Sequence, residues 1–150
     1  MRVVLQRVRK AQVIIEEGES NKIGQGILVL LGIEMADDMS DVDWLVNKVL
    51  NLRIFGDNNG VMNKSLMDVN GELMIVSQFT LMAATKKGNR PSYIKAASHE
   101  HAIPLYESFI KKAGSLIESK IATGTFGAMM RVVLENDGPV TILIDSKNKE

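Results

Sequence analysis

The sequence lacks cysteine altogether and contains only two histidines in 150 residues. Without cysteine there is no disulfide, no thiolate nucleophile and no zinc site built on thiolates, so the core alone must hold the fold. The histidines, His99 and His101, lie two residues apart rather than at the i, i+4 spacing of a helical zinc pair. We therefore interpret both as solvated residues near a helix N-terminus and predict no metal site.

Common motifs of ester and nucleotide chemistry are missing as well. The chain has no Gly-x-Ser-x-Gly elbow, no Walker loop and no Gly-x-Gly-x-x-Gly fingerprint, and Gly24-x-Gly26 is too short to count. Nucleophilic hydrolases place a base, most often histidine, beside the nucleophile. The sequence offers no such pair, and we predict no cofactor.

Long apolar runs are also absent. No stretch approaches the roughly 18 apolar residues that a membrane-spanning helix needs. The segment Met1–Arg7 is interrupted by polar residues too early for a secretory signal. We expect a cytoplasmic protein that does not enter a membrane.

Neither charge is in excess, since 18 basic residues balance 18 acidic ones. The chain lacks the overall positive field that grips a long phosphate backbone, so any contact with RNA must be local. Two short basic stretches are candidates, one near the start and one in a mid-chain loop (Arg7, Arg9, Lys10; Lys86, Lys87, Arg90). A short charge run is more often a solvated loop.

What is present is the pattern of an ordinary globular chain, with 45% hydrophobic residues and no repeat or linker, so 1–150 is predicted to form one domain. Ala11, Val13 and Ile15 alternate with other residues before a turn at 17–20, which predicts an opening β-meander. The aliphatic run 27–31 is typical of a strand covered on both faces, so helices are expected to flank it.

Two main helices are predicted from the spacing of apolar residues. The first has Ser40 as its N-cap, Trp44 on its flank and one apolar face (Val42, Leu45, Val46, Val49, Leu50). The second runs from about Ser98 to about Lys120, and Pro104 inside it predicts a kink or a later start.

The remaining apolar segments are predicted to be strands. Asn70-Gly71 turns the chain into strand 73–76, and 130–134 and 140–144 indicate two strands that meet at a tight connection. Residues 146–150 are expected to be frayed. The order of elements predicts an α/β fold, a mixed β-sheet flanked by two main helices.

Polar residues follow a buried strand where a core would not place them. Ser77, Gln78 and Thr80 come directly after 73–76, and ligands usually bind at the carboxyl ends of strands in open α/β sheets. The alternative is that these residues only satisfy the last backbone groups of the strand. Gly138-Pro139 is ordinarily a tight turn, and the dipeptide alone does not predict a cis bond.

At these two segments the sequence resembles the D-aminoacyl-tRNA deacylase family, formerly described as D-tyrosyl-tRNA deacylases. Two signatures carry the resemblance, Ser77-Gln78-Phe79-Thr80-Leu81 and Asn136-Asp137-Gly138-Pro139-Val140-Thr141. Further similar stretches lie in the same order along the chain, at 6–8, 30–32, 53–55, 90–93 and 123–128. The resemblance therefore covers essentially the whole sequence.

The resemblance implies an intertwined homodimer with two active sites at the subunit interface. In the family, the segment matching Ser77–Thr80 faces a cis Gly-Pro segment, here Gly138-Pro139, inserted from the other subunit. Its backbone acts as a chiral filter, which excludes L side chains by clash and lets glycine pass. By position, Arg7 and Asn136 would support this motif, while Phe79 and Met130 would wall the pocket of the terminal adenosine.

The implied reaction is hydrolysis of the ester between a D-amino acid, or glycine, and the 3′ acceptor end of tRNA. Thr80 as the nucleophile is one possibility, but its motif contains no evident base. We favour participation of the substrate's own 2′-OH, with backbone N–H groups around Gln78, Phe79 and Thr80 stabilising the oxyanion. Thr80 then has a structural or hydrogen-bonding role.

Two departures from the family pattern lie outside the signatures. Pro104 is unexpected in the second helix, and Tyr93 stands where phenylalanine is expected, close to the implied channel for the acceptor end. Two other functions remain open at this stage. One is a nucleic-acid-binding module without catalysis, against which we set the lack of a basic C-terminal tail. The other is an esterase for small D-amino acid esters that uses Thr80.

Overall fold

The computed structural model describes residues 1–16 and 18–149. Its eight strands, two α-helices and one 3-10 helix are, in chain order, β1 (Arg2–Ile15), β2 (Ser20–Ile23), β3 (Gly26–Gly32), α1 (Met39–Asn51), β4 (Phe55–Gly56), β5 (Met62–Lys64), β6 (Glu72–Ser77), a 3-10 helix (Phe79–Met82), α2 (His99–Gly114), β7 (Ile121–Thr123) and β8 (Met130–Asp145). Strands β4 and β5 form a separate hairpin around a turn at 56–60. The mixed α/β architecture is confirmed.

The main sheet is built around β1, and the predicted meander is wrong. Residues 11–14 of β1 pair with β2 and residues 2–8 pair with β3, both antiparallel. Strands β2 and β3 thus run one after the other along one edge of β1, because β8 pairs antiparallel with the other edge. Beyond β3 come β6 and then β7, each parallel to its neighbour.

The alternation of β1 shifts near Arg9. Val8 lies opposite Asn136 and Lys10 opposite Glu135, so Arg9 is an extra residue relative to β8. Such a bulge reverses which face the following side chains point to. Before it, Val3 and Leu5 join the larger core cluster; after it, Ala11 and Val13 join a second cluster on the opposite face.

Both helices pack on the face of the larger cluster, which corrects the expectation that helices flank the sheet. The predicted apolar face of α1 is fully buried there, together with Leu105, Tyr106 and Phe109 of α2. Strand β3 is nevertheless buried on both sides, since Ile27 and Val29 face the helices while Leu28 lies in the second cluster. The second cluster, on the other face of the sheet, consists of residues from the strands themselves.

The helix ends differ from the prediction. The N-cap of α1 is Asp38, not Ser40: its carboxylate accepts from Ser40 N at 2.8 Å, and Asp41 closes a capping box onto Asp38 N at 2.9 Å. Helix α2 ends at Gly114 rather than near Lys120, and it begins at His99, so Pro104 does not delay its start. Several adjacent residues are of types that cap helices, so the sequence pattern alone did not identify the correct N-cap of α1.

The C-terminal segments also differ. Residues 130–145 form one strand along β1 rather than two strands folded on each other, with 137–140 bulging out between the Gln6–Thr141 and Val8–Asn136 pairs. Ser146 is buried and Lys147 binds Asp41 at 2.7 Å, so these residues are not frayed; Glu150 lies outside the described residues. Across the described chain, neither helix is long and apolar enough to cross a bilayer.

Candidate functional site

The candidate site lies beyond the carboxyl ends of the parallel strands β3 and β6. Ser77 is the last residue of β6, and Gln78 then leaves the sheet as the N-cap of the 3-10 helix. Gln78 N donates to Leu31 O at 2.8 Å, and Gln78 O accepts from Leu81 N at 3.2 Å. The predicted polar segment is therefore fixed by its backbone at the edge of the sheet.

Gly32 permits this close approach at the end of β3. A Cβ atom there would lie 2.9 Å from Leu81 Cβ and 3.0 Å from Gln78 O. These separations are shorter than ordinary van der Waals contacts, so a side chain at Gly32 requires the 3-10 helix to move. The glycine therefore helps to set where Gln78 and the residues after it lie.

The side chains of Gln78, Phe79 and Thr80 make different contacts. Gln78 Nε2 donates a hydrogen bond to Thr80 Oγ1, so the Thr80 hydroxyl is held by an amide, which is not a base. Phe79 is 58% exposed, and its ring meets Tyr93 edge-on with 5.0 Å between centroids. This arrangement does not provide the activated nucleophile that Thr80 would need to attack an ester.

Next to these residues is a cavity of about 590 Å³, large enough for a small organic ligand. It is lined by the segment 77–80, by Met130 and Val132 of β8, by Ala96 and Ala97, and by 126–129. The predicted binding residues Ser77, Gln78, Phe79 and Met130 thus meet at one cavity. Its walls are otherwise mainly apolar.

The cavity also has aromatic walls that the residue pattern did not reveal. Phe126 lies edge-on to His99 at 5.5 Å and to Tyr106 at 5.6 Å between ring centroids. Tyr106 donates to Ile75 O at 2.9 Å, and burial raises the pKa of Tyr106 to about 12, so the hydroxyl stays a donor. In the sequence, only the similarity to the family distinguishes the stretch 123–128.

The two histidines lie in the first turn of α2, as predicted, and each also has contacts within the protein. His99 is exposed but borders the cavity. His101 Nε2 lies 3.0 Å from Asp37 O, at the loop before α1. Within residues 1–16 and 18–149, no group of three or more histidine and carboxylate side chains is arranged to hold a metal ion.

The second signature forms a separate structure in the bulge of β8. The Gly138–Pro139 bond is cis, and Gly138 has φ of 125°, a conformation that favours glycine. Arg7 Nε contacts Asp137 O at 3.2 Å and Asp137 Oδ2 at 3.1 Å, and another guanidinium nitrogen donates to Ile54 O. Asn136 Nδ2 donates to Arg7 O and Val140 O, each at 2.9 Å.

Hydrogen bonds from Arg7 and Asn136 therefore hold the bulge in place. Gly138 and Pro139 line their own cavity of about 420 Å³, together with Arg7, Phe55 and Met62. It shares no lining residue with the cavity at Gln78 and Thr80. A single chain thus keeps the two signatures apart.

Comparison with known proteins gives a consistent result. Residues 4–145 match the family model described as D-Tyr-tRNA(Tyr) deacylase. Proteins named D-aminoacyl-tRNA deacylase from Cytophaga hutchinsonii and Azobacteroides pseudotrichonymphae are 60% and 59% identical to the chain over 150 residues, 100% of both chains in each case. The protein of that name from Bacteroides thetaiotaomicron is 57% identical over the same length.

Two solved structures are similar over nearly their full length. One, described as c-Myc DNA Unwinding Element Binding Protein, has a TM-score of 0.91 and 42% identity, with 97% of this chain and 98% of that chain covered. The other, described as a probable eukaryotic D-amino acid tRNA deacylase, has a TM-score of 0.82, 18% identity and coverage of 95% and 97%. The second likeness concerns the fold alone.

Proposed function

The chain belongs to the D-Tyr-tRNA(Tyr) deacylase family, and on that premise we propose that it hydrolyses the ester of D-aminoacyl-tRNA and glycyl-tRNA. The products are free tRNA and the amino acid. The observation that carries the proposal is the cavity in which Gln78, Phe79 and Thr80 meet Met130. Since charged tRNA is made and used in the cytoplasm, we place the protein there.

We propose that backbone N–H groups of the 3-10 helix stabilise the negative charge that develops on the carbonyl oxygen of the substrate. The first N–H groups of a helical turn have no carbonyl partner within it, and here they belong to Phe79 and Thr80. When water attacks the ester carbon, the carbonyl oxygen becomes an oxyanion that such donors stabilise. The bond to the ribose oxygen then breaks, and that oxygen takes up the proton lost by the water.

The proton-transfer partner is proposed to be the substrate's own 2′-OH. Thr80 Oγ1 accepts from the Gln78 amide, which offers no basic nitrogen or carboxylate to take its proton. A hydroxyl fixed in the bound substrate reaches the water at high effective concentration. In this mechanism Thr80 orients Gln78 and contacts the substrate, while the nucleophile is water.

Chiral selection is proposed to come from a second copy of the chain. Gly138-Pro139 does not line the cavity of its own chain, and we propose that it enters the site of a partner in a homodimer. There the braced backbone would face the substrate Cα and exclude an L side chain by clash. A glycyl group has no side chain to exclude and would be cleaved.

The deciding experiment compares D-tyrosyl-, L-tyrosyl- and glycyl-tRNA as substrates of the wild type and of Thr80→Ala. We expect cleavage of the D and glycyl esters with the L ester spared. Since Thr80 is not the nucleophile in this mechanism, the variant should keep most of the activity, within about tenfold, whereas loss of a nucleophile costs several orders of magnitude. Thr80→Ser is the matched control, since it restores the hydroxyl.

Other outcomes would contradict specific parts of the proposal. Equal cleavage of both enantiomers would remove the chiral filter at Gly138-Pro139. A loss of several orders of magnitude in Thr80→Ala, recovered in Thr80→Ser, would make Thr80 the nucleophile. Cleavage of simple D-amino acid esters as fast as tRNA esters would favour a small-molecule esterase.

A second candidate is nucleic-acid binding without catalysis. It is favoured by the likeness, at 42% identity, to a structure described as a DNA-element-binding protein. Failure to cleave any of the three tRNA esters, combined with retained binding of uncharged tRNA or DNA, would replace the deacylase proposal with this one.

A further inference from the structure

The segment between the 3-10 helix and α2 projects from the rim of the candidate site. Its two arms are joined by a short antiparallel bridge in which Ala84 N donates to Ser92 O at 2.8 Å and Ser92 N to Ala84 O at 3.0 Å. Gly88, with φ of 69°, turns the tip. All residues from 84 to 95 are exposed; we refer to 84–95 as the basic loop.

The basic loop concentrates positive charge in a chain whose net charge is zero. It holds Lys86, Lys87, Arg90 and Lys95, and the sequence contains no acidic residue between Glu72 and Glu100. Across the described residues, none of these four cations has a carboxylate partner, whereas Arg2, Arg7, Arg9, Lys10, Lys112 and Lys147 are ion-paired. The loop's charge is thus free to act on a ligand.

The base of the loop is connected to the site. Tyr93 packs edge-on against Phe79, whose ring borders the cavity. Ala97 N donates to Ile33 O at 2.9 Å, and Ala96 and Ala97 themselves line the cavity. A ligand chain that leaves the cavity over the Phe79–Tyr93 rim therefore passes beside the loop.

The reach of the loop suits a phosphate chain. The tip lies four residues beyond the bridge at Ala84 and so extends at most about 14 Å from it. At physiological salt, exposed charges more than about 8 Å apart are largely screened, so the loop acts on phosphates that pass within that distance of its side chains, just outside the cavity. The aminoacyl ester inside the cavity carries no phosphate.

We propose that the basic loop binds phosphates of the tRNA acceptor arm and thereby makes the enzyme prefer tRNA esters to short esters. This inference rests on the proposed function, because it assigns a partner to the rim of the same site. Lys86, Lys87 and Arg90 are the phosphate-binding residues, and Tyr93 is a positioning residue that ties the loop to Phe79.

The test uses the full chain with Lys86, Lys87 and Arg90 changed together to alanine. Two substrates are compared, a D-aminoacyl-tRNA and the matching D-aminoacyl-adenosine, which keeps the terminal nucleoside but has no phosphate. Three lost phosphate contacts should flatten the slope of log kcat/KM against log salt by about 2 to 3, and lower kcat/KM for tRNA about 10- to 100-fold. The value for the short ester should stay within about twofold.

The matched control removes three exposed lysines elsewhere, Lys22→Ala, Lys111→Ala and Lys120→Ala, and so produces the same change in net charge. It should change kcat/KM for either substrate by no more than about threefold, which separates the effect of a local contact from that of the overall charge. Because the basic loop is exposed, the thermal unfolding midpoint of the loop variant should equal that of the wild type.

Equal losses on both substrates, or no loss on tRNA, would overturn the role of the loop. Binding of uncharged tRNA gives a readout that does not depend on catalysis. If the wild type cleaves neither ester, the proposed function fails, yet a 10- to 100-fold weaker binding of tRNA by the loop variant still supports the loop. Unchanged tRNA binding overturns it whether or not the protein is a deacylase.

Discussion

At the scale of single residues, Gly32 controls the geometry of the candidate site without touching the cavity. Because Gly32 has no side chain, the 3-10 helix can pack close to it; a Cβ atom added there would lie 3.0 Å from Gln78 O. The residue is invisible to a search for polar or ionisable groups, since a glycine in an aliphatic strand carries no chemical signal.

We expect Gly32→Ala to reduce kcat/KM for D-aminoacyl-tRNA by about 10- to 100-fold, because the added methyl displaces the backbone that stabilises the oxyanion. Overpacking at this contact should also lower the free energy of unfolding by about 1 to 3 kcal/mol. Steady-state kinetics and urea unfolding measure the two effects. Gly24→Ala is the control, since the nearest atom to its new Cβ is 3.8 Å away; equal activity of both variants would contradict the argument.

The two signatures show what a sequence can and cannot reveal at this scale. The position of Ser77–Thr80 after a buried strand indicated a site from residue pattern alone, whereas the importance of Gly138-Pro139 came only from the family resemblance. The bracing by Arg7 and Asn136 links residues about 130 positions apart. No local pattern contains such a contact, because it depends on how β8 pairs with β1.

At the scale of elements, the start of α1 is joined to the C-terminal segment by charge. Burial raises the pKa of Asp41, but hydrogen bonds from Lys147 and Ser146 outweigh it and hold the pKa at about 2, below the usual 3.8. A carboxyl with a lowered pKa in the folded state stabilises the protein above its unfolded pKa. That stabilisation is lost as pH falls from about 4 to about 2.

Asp41→Asn should therefore lower the free energy of unfolding at pH 7 by about 1 to 2 kcal/mol, a value reduced because Lys147 is partly exposed. The asparagine keeps an acceptor for Asp38 N, so the effect reports mainly on charge. Urea unfolding at pH 7, 4 and 3 measures it, and the difference between variant and wild type should shrink toward pH 3. A difference independent of pH would show that packing, not charge, is responsible.

Apolar spacing predicted most elements correctly, because it reports directly on which face is buried. It located α1, β3 and β6, and it also identified the residues with which α1 faces the core. Apolar spacing did not predict the extent of a strand where that extent depends on pairing with another strand. The spacing in 130–144 is compatible with two strands or with one bulged strand, and only the register against β1 distinguishes them.

At the scale of the whole molecule, we propose that two copies associate through the face of the sheet that carries no α-helix. Leu143 lies opposite Val4 on that face and is 63% exposed, while Val133, on the same strand, is 57% exposed but lies on the other face. The two residues form a matched pair for testing which face associates.

We expect Leu143→Arg to weaken self-association, because it places an unpaired charge in an apolar contact. Since the proposed site needs Gly138-Pro139 from a partner, deacylation should fall in parallel with the dimer fraction. Sedimentation velocity together with kinetics at several protein concentrations measures both. Val133→Arg should change neither, and a fully active monomeric Leu143→Arg variant would refute the shared site.

The shift near Arg9 has a consequence for how this chain tolerates change. Strand β1 presents Val3 and Leu5 to one face and Ala11 and Val13 to the other only because of the extra residue between them. In this respect the strand has a reading frame, as a coding sequence does. A substitution near Arg9 alters a single side chain, whereas the insertion or deletion of one residue turns every later apolar residue of β1 to the wrong side of the sheet.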